Sequence, residues 1–424
     1  MSAEYFYSNG FRKLKPFYNL RKTHVKGRWF NRTLLDILSD EFKSNSEFPT
    51  SNESKHLKTI ENGQYYIDSH LTVDEQKISG ARYKTIDTPQ DILNYKLKCN
   101  DIFYSKSHKH EPSVKQWCEQ EITNDKVIAG MEIVHQDENF LVINKPCGIP
   151  IHPTSNYYEN TLIRVLYNAT NGKEFSPCYR LDKITSGLII LGKNSRFASK
   201  FQARIRDKVV NKLYLAKVKG RFPGTPTGLS FLTKDTQSEE LEKIWNHSEK
   251  VVANSPIYVI DPKKSYPKGL SEPREAKTLF QLLHYNSATD ESIVLCKPIT
   301  GRTHQIRIHL LRLNHPIVND PFYDPKVCLY PKRCDFYYRY QDYNDHLILE
   351  EGKHEKFMEL MKEFEDKQSI RGKDDSFCEE CGQTVYTDPD IQELSLFLHA
   401  WKYYTNDGEY SFQCSVPKWV ETML

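Results

Sequence analysis

Membrane-spanning and secretory features are missing from this sequence. Its longest apolar runs, such as 187–192, are far too short to cross a bilayer. The first residues lack the apolar centre of a signal peptide, and the 10 cysteines follow no regular spacing, which argues against a disulfide-stapled secreted domain. The net charge is only +3, which excludes nucleic-acid binding by a uniformly basic chain. We therefore expect a soluble protein with reduced thiols, located in the cytoplasm.

The chain nevertheless holds ample material for a large core. Its 424 residues are too many for one average domain, and 38% of them are hydrophobic. We predict a basic and aromatic N-terminal extension over 1–125, a candidate small RNA-binding module, followed by a catalytic domain over 126–424. Stretches rich in Pro, Gly, Ser and Lys or in charge predict two insertions in the second part, at about 221–275 and 326–392.

Basic and aromatic side chains are interleaved in the first 32 residues. Basic groups neutralise phosphates and rings stack on bases, so the pattern indicates RNA contact. Two other interpretations stay open: a solvated arm, and a mitochondrial targeting peptide, which is also basic and poor in acids. A mitochondrial pool of the protein is therefore kept in the hypothesis. The residues are Arg12, Lys13, Lys15, Arg21, Lys22, Lys26, Arg28, Arg32, Tyr5, Phe6, Tyr7, Phe11, Phe17, Tyr18, Trp29 and Phe30.

Short elements are predicted in the rest of the extension. Thr33 and Asp36 form a capping-box-like pattern at the start of a helix over 33–42. The polar stretch 43–60 is typical of a loop. Strands are predicted at 64–71 and 96–103.

From residue 127 onward the pattern becomes regular. A stiff loop over 144–153, rich in proline, follows the first buried strand. Ser195 can cap a helix with an apolar face formed by Phe197, Phe201 and Ile205. The flanking stripe of that helix is basic, with Arg196, Lys200, Arg204 and Lys208. Strands are predicted at 140–143, 188–191, 212–218 and 292–296.

Two further helices and a returning strand complete the prediction. One helix, after residue 304, would bury Ile306, Leu310 and Leu313. The segment 394–419 looks β-like and is expected to rejoin the catalytic sheet. An amphipathic helix in the second insertion is marked by Phe357, Leu360, Met361 and Phe364.

Three ordered motifs carry the chemistry. Arg180-Leu181-Asp182-x-x-Thr185-Ser186-Gly187 places an acid at the mouth of an apolar strand, an unusual position for a charge. Lys212-x-Tyr214-x-Ala216-x-Val218-x-Gly220 and Thr300-Gly301-Arg302-Thr303-His304-Gln305-Ile306-Arg307 follow it. A lone Arg-Leu-Asp is usually a surface ion pair, whereas the three motifs in this order are a strong signal.

These motifs resemble the pseudouridine synthases of the RluA type. Lys145-Pro146-x-Gly148-x-Pro150, the segment from His315-Pro316-Ile317 to Tyr323, and Leu398-His399-Ala400 also match that family, so the resemblance covers about 127–325 and 394–424. It implies an α+β fold with a catalytic domain on a mixed, mainly antiparallel sheet. It also implies an isomerase, an intramolecular transferase that converts uridine to pseudouridine without a cofactor or a metal.

The resemblance also implies roles for individual residues. Asp182 matches the nucleophile, which can attack the sugar or the base or stabilise a detached intermediate. Burial alone would raise its pKa, so a cationic partner is needed, and Arg307 matches that partner. Tyr214 offers a ring for stacking on the base and a phenol for proton removal at C2′ or C5. Arg180 is expected to fill the gap left by a flipped uridine or to hold its phosphate, while Arg302 and His304 order the loop or touch the RNA backbone.

Some positions depart from the family pattern or stay ambiguous. Tyr179 stands where the family usually has histidine, and His152 is expected to pack in its loop. His247-x-Glu249 has no Pro-Cys-x-x-Cys after it, so the deaminase activity fused to some relatives is not implied. Cys378-x-x-Cys381 could complete a four-thiolate zinc site with Cys328 and Cys334, or all four could be ordinary reduced cysteines.

The basic N-terminus and the helix over 33–42 also resemble the fungal tRNA pseudouridine synthases of this family. The function predicted is therefore site-specific uridine isomerisation in tRNA, in the anticodon stem near position 31 or 32. Two alternatives are the same chemistry on ribosomal or mitochondrial RNA, and an RNA-binding chaperone without catalysis. We expect a monomer with tRNA as its partner and with no membrane or small-molecule cofactor.

Overall fold

The computed structural model describes residues 4–41, 49–118, 125–154, 156–232, 238–262, 264–340, 351–370, 377–383 and 385–422. No helix within these ranges is both long and apolar enough to cross a membrane. The chain forms two compact units, Lys15–His110 and a larger unit of Met1–Leu14 with Glu111–Leu424. These limits differ from the domain boundary near residue 125 that the sequence suggested.

The secondary-structure elements of the described residues are numbered in chain order. The strands are β1 Tyr5–Ser8, β2 Phe11–Leu14, β3 Phe17–His24, β4 Tyr65–His70, β5 Tyr83–Ile86, β6 Ile102–Lys109, β7 Val114–Lys115, β8 Val127–Ile128, β9 Met131–Gln136, β10 Phe140–Lys145, β11 Ser176–Pro177, β12 Ser186–Gly192, β13 Val210–Lys219, β14 Val251–Ala253, β15 Thr278–Asn286, β16 Glu291–Pro298, β17 Leu398–Thr405 and β18 Ser411–Gln413. The helices are α1 Leu34–Glu41, α2 Pro49–Glu61, α3 Val73–Ser79, α4 Pro89–Asn94, α5 Leu162–Ala169, α6 Ser195–Arg206, α7 Ser238–His247, α8 Gln305–Arg312, α9 Pro331–Arg339, α10 Glu351–Ile370 and α11 Lys418–Glu421.

The small unit is a four-stranded antiparallel sheet, in the order β3-β6-β4-β5, with helices on one face. Helix α1 begins with the predicted capping box, since the Thr33 hydroxyl accepts from the Asp36 N–H and the Asp36 carboxylate accepts from the Thr33 N–H. The core of this unit contains Trp29, Leu34, Ile37, Ile60, Ile67 and Phe103.

Two of the predictions for this region are wrong. Of the stretch 43–60, which was expected to be a loop, residues 43–48 lie outside the described residues, whereas residues 49–60 belong to α2, Pro49–Glu61, which buries Ile60 completely. Its single buried face supplies too few apolar positions for a helical pattern to be visible among the polar residues. The strand expected at 96–103 begins only at Ile102, because Asp101 accepts the N–H of Lys98 and closes a turn there. The strand expected at 64–71 is confirmed as β4.

Within the described part of the N-terminus, most of residues 5–24 lie in strands β1, β2 and β3, so the solvated-arm interpretation is wrong for these residues. Strands β1, β2 and β7 form a three-stranded sheet of the larger unit. Arg12 on β2 is only 1% exposed and donates a hydrogen bond to the Asn160 side chain. Its guanidinium also lies 3.6 Å from the centre of the Tyr5 ring. Arg12 is therefore occupied inside the protein and is not presented to a phosphate.

The larger unit is built on an eleven-stranded sheet. Nine strands follow the order β14-β15-β16-β13-β17-β12-β10-β9-β8, with β11 beside β12 and β18 beside β17. Among the pairs that the described strands form, β12 with β17 is parallel and the others are antiparallel. The predicted α+β class on a mixed, mainly antiparallel sheet is confirmed, and so is the return of the C-terminal segment, as β17.

Helices pack against this sheet. Helix α6 places Phe197, Phe201 and Ile205 against the sheet as predicted, but Asn194, and not Ser195, caps it. Helix α8 is buried on every side, which exceeds the single apolar face that the sequence suggested. In the second insertion the predicted amphipathic helix is α10, which packs with α9 in a cluster that includes Phe336, Phe357 and Leu360.

Candidate active site

Asp182 lies in the loop that leads into β12. Its carbonyl accepts the N–H of Thr185 at 3.1 Å, which closes the turn Asp182-Lys183-Ile184-Thr185. Gly187, two residues further on, has a φ of +108°, and a Cβ there would lie 2.2 Å from the carbonyl oxygen of Ala400 on β17. Only glycine allows this approach, which pins the Asp182 loop beside the parallel pair of strands.

Arg307 brings a buried positive charge to Asp182. Its side chain, on α8, is only 1% exposed, whereas that of Asp182 is 30% exposed. The Nη1 of Arg307 donates to the Oδ2 of Asp182 at 2.9 Å. The two side chains expected to meet are therefore in contact, with the carboxylate facing outward and the guanidinium behind it.

Asp320 fixes the other edge of the same guanidinium. The Nε and Nη2 of Arg307 donate to the two carboxylate oxygens of Asp320, each at 2.8 Å. The carboxylate of Asp320 is fully buried and also accepts the backbone N–H groups of Phe322 and Tyr323. Two hydrogen bonds to one carboxylate fix the plane of a guanidinium. Asp320 therefore orients the remaining Nη1 of Arg307 toward Asp182. The sequence interpretation did not identify this residue.

The charges around Arg307 keep it positive. Burial acts to lower the pKa of Arg307, but the carboxylates of Asp320 and Asp182 raise it above its ordinary value. An arginine between two carboxylates thus stays fully protonated, and it compensates the cost of burying Asp320.

His304 is the second side chain near the acid. Its Nε2 lies 3.5 Å from the Oδ2 of Asp182, and its Nδ1 is 2.9 Å from the hydroxyl of Tyr323. The backbone of His304 adopts left-handed angles, with φ of +56°, at the N-cap of α8. Such angles cost free energy for a residue with a Cβ and often mark functional sites. Burial lowers the pKa of His304 to about 4, so the ring is neutral near pH 7.

The carboxylate of Asp182 is ionised at neutral pH. Burial acts to raise its pKa, but interactions with His304 and Arg307, the hydrogen bond from Arg307 and the charge of Lys145 together lower it below its ordinary value. Since His304 is neutral near pH 7, the fixed charge of Arg307 is the main stabilising partner there.

Tyr214 on β13 joins a group of tyrosines beside the acid. Its hydroxyl forms a hydrogen bond with the hydroxyl of Tyr403 on β17, and the two ring centres are 6.0 Å apart. The Tyr403 ring lies 4.9 Å from that of Tyr179, whose hydroxyl donates to the Leu188 carbonyl. Burial raises the pKa of Tyr214 to about 12, while the hydrogen bond with Tyr403 opposes this change and the charge of Asp182 adds to it. The phenol is therefore protonated at neutral pH.

Lys145, at the end of β10, links two loops through hydrogen bonds. Its fully buried ammonium donates to the carbonyls of Pro146, Ile149 and Lys183 at 2.9–3.1 Å. Burial lowers its pKa to about 7, while nearby Cys147 and Asp182 act to raise it. The proline-rich loop is thus fastened to the residue that follows Asp182.

The remaining predicted residues lie around this centre. Arg180 is exposed, two residues before the acid. Arg302 donates from Nε to the carbonyl of Glu275 at 3.0 Å, and its N–H donates to the side chain of Gln305. Arg302 therefore orders its loop within the protein. Tyr179, the departure from the family pattern, packs and hydrogen-bonds as expected.

The four-thiolate zinc arrangement that the sequence left open is not formed. Cys328 and Cys334 lie in the helical insertion, where their side chains hydrogen-bond to one another. Among the described residues, no group of potential metal ligands joins either of them to Cys378 and Cys381.

Comparison with known proteins agrees with this geometry. Residues 139–312 match the family model described as RNA pseudouridylate synthase, a range that contains Asp182, Tyr214 and Arg307. The chain is 41% identical over 431 residues to the tRNA pseudouridine(31) synthase of Saccharomyces cerevisiae, which covers 99% of this chain and 97% of the yeast protein.

Two other relatives are more distant. The mitochondrial tRNA pseudouridine(32) synthase of the same yeast is 30% identical over 432 residues, covering 96% of this chain and 76% of that protein. Human pseudouridylate synthase RPUSD2 is 30% identical over 322 residues, covering 76% of this chain and 48% of the human protein, so the chain spans about half of that relative. The chain therefore belongs to the RNA pseudouridine synthase family, of the RluA type, and is an isomerase that converts uridine to pseudouridine.

Proposed function

We propose that this enzyme isomerises one uridine in the anticodon stem of tRNA, near position 31 or 32, with Asp182 as the nucleophile. The single observation that carries the proposal is the ion pair between a partly exposed Asp182 and a fully buried Arg307. An ionised carboxylate that reaches the surface, backed by a permanent charge, suits attack on a bound nucleotide. The relatives named for positions 31 and 32 support the choice of tRNA and of the stem.

The reaction requires three events at the base. The bond between C1′ and N1 breaks, the base turns, and C5 becomes bonded to C1′, so no atom is gained or lost. Because the base must leave the helical stack, the uridine is flipped toward Asp182, and exposed Arg180 is suited to fill the gap or to hold the phosphate. His304, neutral near pH 7, hydrogen-bonds through Nδ1 to the Tyr323 hydroxyl and is 20% exposed, which suits a contact with the RNA backbone.

Tyr214 is proposed to stack on the base and to assist removal of a proton. The Tyr214 phenol is not ionised at neutral pH, because its pKa is raised to about 12. Because the Tyr214 phenol keeps its proton, it is proposed to assist by hydrogen-bonding to the base or to the water that carries the departing proton to solvent, with its hydroxyl oriented by that of Tyr403. The hydrogen bond between the two hydroxyls also holds the Tyr214 ring in place.

The small unit is proposed as the RNA-binding module. Its sheet carries an aromatic pair on neighbouring strands, Tyr66 and Tyr104, with ring centres 4.5 Å apart and planes within 11°. Lys22 is the strand partner of Tyr104, and Lys106 lies 4.4 Å from the ring of Tyr18. Rings and cations on one sheet are a common platform for single-stranded RNA.

A direct assay tests the proposed function. The purified chain is incubated with unmodified transcripts of the full tRNA set, and pseudouridine is mapped by chemical labelling at single-nucleotide resolution. Modification is expected at position 31 or 32 in a subset of tRNAs and not in ribosomal RNA fragments used as matched substrates. Modification of ribosomal or mitochondrial RNA alone would replace the tRNA assignment, and absence of any product with bound RNA would favour a chaperone.

The compartment follows as a second proposal. We propose a cytoplasmic enzyme with a mitochondrial pool, supported by a relative named as mitochondrial. Separate mapping of cytoplasmic and mitochondrial tRNA from cells with and without the gene tests it. Loss of pseudouridine from one compartment only would remove the other from the proposal.

A further inference from the structure

A short turn places two thiols side by side, outside the active site. The N–H of Cys378 donates to the carbonyl of Gln383 at 2.9 Å, and the N–H of Gly382 donates to the carbonyl of Cys378 at 2.8 Å. Gly382 has a φ of +65°, left-handed angles that glycine adopts without cost. These two bonds close the sequence Cys-Glu-Glu-Cys-Gly-Gln on itself and bring the side chains of Cys378 and Cys381 together.

The two thiols are spaced as ligands of one ion would be. Their side chains lie within hydrogen-bonding distance, are partly buried and form no disulfide. Two sulfurs bound to a tetrahedral zinc at about 2.3 Å lie roughly 3.8 Å apart, which is also the reach of a hydrogen bond to sulfur. A turn of two cysteines separated by two residues is the usual way in which a backbone presents half of a zinc site.

We propose that Cys378 and Cys381 bind a structural zinc ion whose other two ligands are imidazoles. Within the described residues no third cysteine joins these two in a group of potential ligands, which excludes a four-thiolate site. Structural zinc requires four ligands, and two thiolates with two histidines are a standard set. On binding, each thiol loses its proton to solvent and its sulfur donates a lone pair to the metal.

The position of the turn indicates what the ion would stabilise. A few residues further on, Asp388 forms an ion pair with Lys13, and Leu394 is buried. The carbonyls of Gln392 and Ser395 accept hydrogen bonds from the side chain of Asn319, the neighbour of Asp320. Zinc would therefore anchor the segment that leads into β17 and supports the Asp320 loop, and it would take no part in the isomerisation.

Metal analysis of the full chain tests the proposal. The protein is produced in zinc-supplemented medium, freed of any histidine tag, dialysed and analysed by mass spectrometry of the metal. We expect about one zinc per chain in the parent protein and less than about a tenth of that in Cys378→Ser and Cys381→Ser. Cys99→Ser and Cys118→Ser, at exposed cysteines, are the matched controls and should keep their zinc.

Further measurements keep the proposal refutable if the serine variants fold poorly. Cys381→His retains a ligand and should retain zinc. A cobalt-substituted chain should show a tetrahedral spectrum with the sulfur charge transfer of two thiolates. Alanine substitution of each of the 15 histidines should identify two that abolish binding. A parent protein without zinc, full zinc in Cys378→Ser, or a stable disulfide between the two cysteines in the parent would overturn the site.

Discussion

Arg307 and Asp320 are joined by two hydrogen bonds of 2.8 Å between side chains that are both buried. The remaining nitrogen of the guanidinium, Nη1, donates a hydrogen bond to Asp182. Asp320 therefore fixes the orientation of the guanidinium that holds Asp182.

Replacing Asp320 by asparagine should lower kcat by about 10- to 100-fold, the value of losing one hydrogen bond between charged groups. The amide keeps the shape of the side chain but removes its charge and one acceptor, so Arg307 loses its orientation. The RNA dissociation constant should hardly change. Asp324→Asn is the matched control, because Asp324 is a buried carboxylate in the same loop that pairs with Lys219. Equal losses of kcat in both variants at equal folded fractions would refute the positioning role.

Asp182→Asn should abolish product, with a loss of more than about 10³-fold in single-turnover rate. RNA affinity should remain close to that of the parent, since the change removes a nucleophile and leaves the surface intact. Rate and affinity are measured on the same tRNA transcript. A variant that still forms pseudouridine would exclude Asp182 as the nucleophile.

Tyr403→Phe should slow the reaction by about 3- to 10-fold, because it deletes the hydroxyl that pairs with Tyr214. Tyr404→Phe is the control, since Tyr404 is the next residue on the same strand and packs in a different cluster of the core. The ratio of the two single-turnover rates is the measurement. An unchanged rate in Tyr403→Phe would mean that Tyr214 needs no hydroxyl partner.

Three buried histidines should make stability depend on pH. Burial lowers the pKa of His304, His309 and His399 from 6.5 to about 4 in the folded state. Between pH 4 and pH 6.5 the unfolded chain binds more protons than the folded chain. The free energy of unfolding therefore reaches its full value above pH 6.5 and decreases as the pH falls toward 4. Each histidine contributes up to about 1.4 kcal/mol per pH unit in this window.

Urea unfolding at a series of pH values measures this slope. His399→Asn should reduce the slope by about one proton, while His247→Asn, at an exposed position on α7, should leave it unchanged. A slope that is the same in both variants would contradict the buried, neutral state of His399.

Lys22→Ala and Lys106→Ala, on the sheet of the small unit, should weaken RNA binding and flatten its dependence on salt. Each phosphate contact removed lowers the slope of log affinity against log salt by about 0.7–0.9. Lys77→Ala, at an exposed lysine on α3, is the control. Unchanged slopes would exclude this sheet from phosphate contact. Deletion of residues 1–32 would be a poorer test, because β1 and β2 belong to the larger unit.

The sequence predicted the parts of the site that short motifs carry. Asp182, Tyr214 and Arg307 each stand in a recognisable local pattern, and the strands around them have strong apolar runs. Asp320 lies within the segment from His315 to Tyr323 that matched the family, but its role was missed, and Tyr403 was missed because it has no local signal. From the sequence Asp320 resembles a surface acid in a loop, whereas in the fold it is buried against Arg307 and the N–H groups of Phe322 and Tyr323.

The wrong predictions for the small unit have a similar cause. Helix α2 is held by tertiary packing of Ile60 and not by its own composition, and the start of β6 is set by a side-chain hydrogen bond of Asp101. Lys145 was seen as part of a motif, but only the fold reveals that its ammonium serves three carbonyls. Contacts between distant segments decide such details.

The pairing of β12 with β17 has a consequence for biosynthesis. Gly187 meets Ala400 across this pair, and Tyr403 reaches Tyr214 from the same late strand. A ribosome must therefore deliver more than two hundred further residues after Asp182 before the pocket can close around it. Nascent chains interrupted before β17 should remain inactive however well their earlier strands assemble, so premature termination yields no partially competent enzyme.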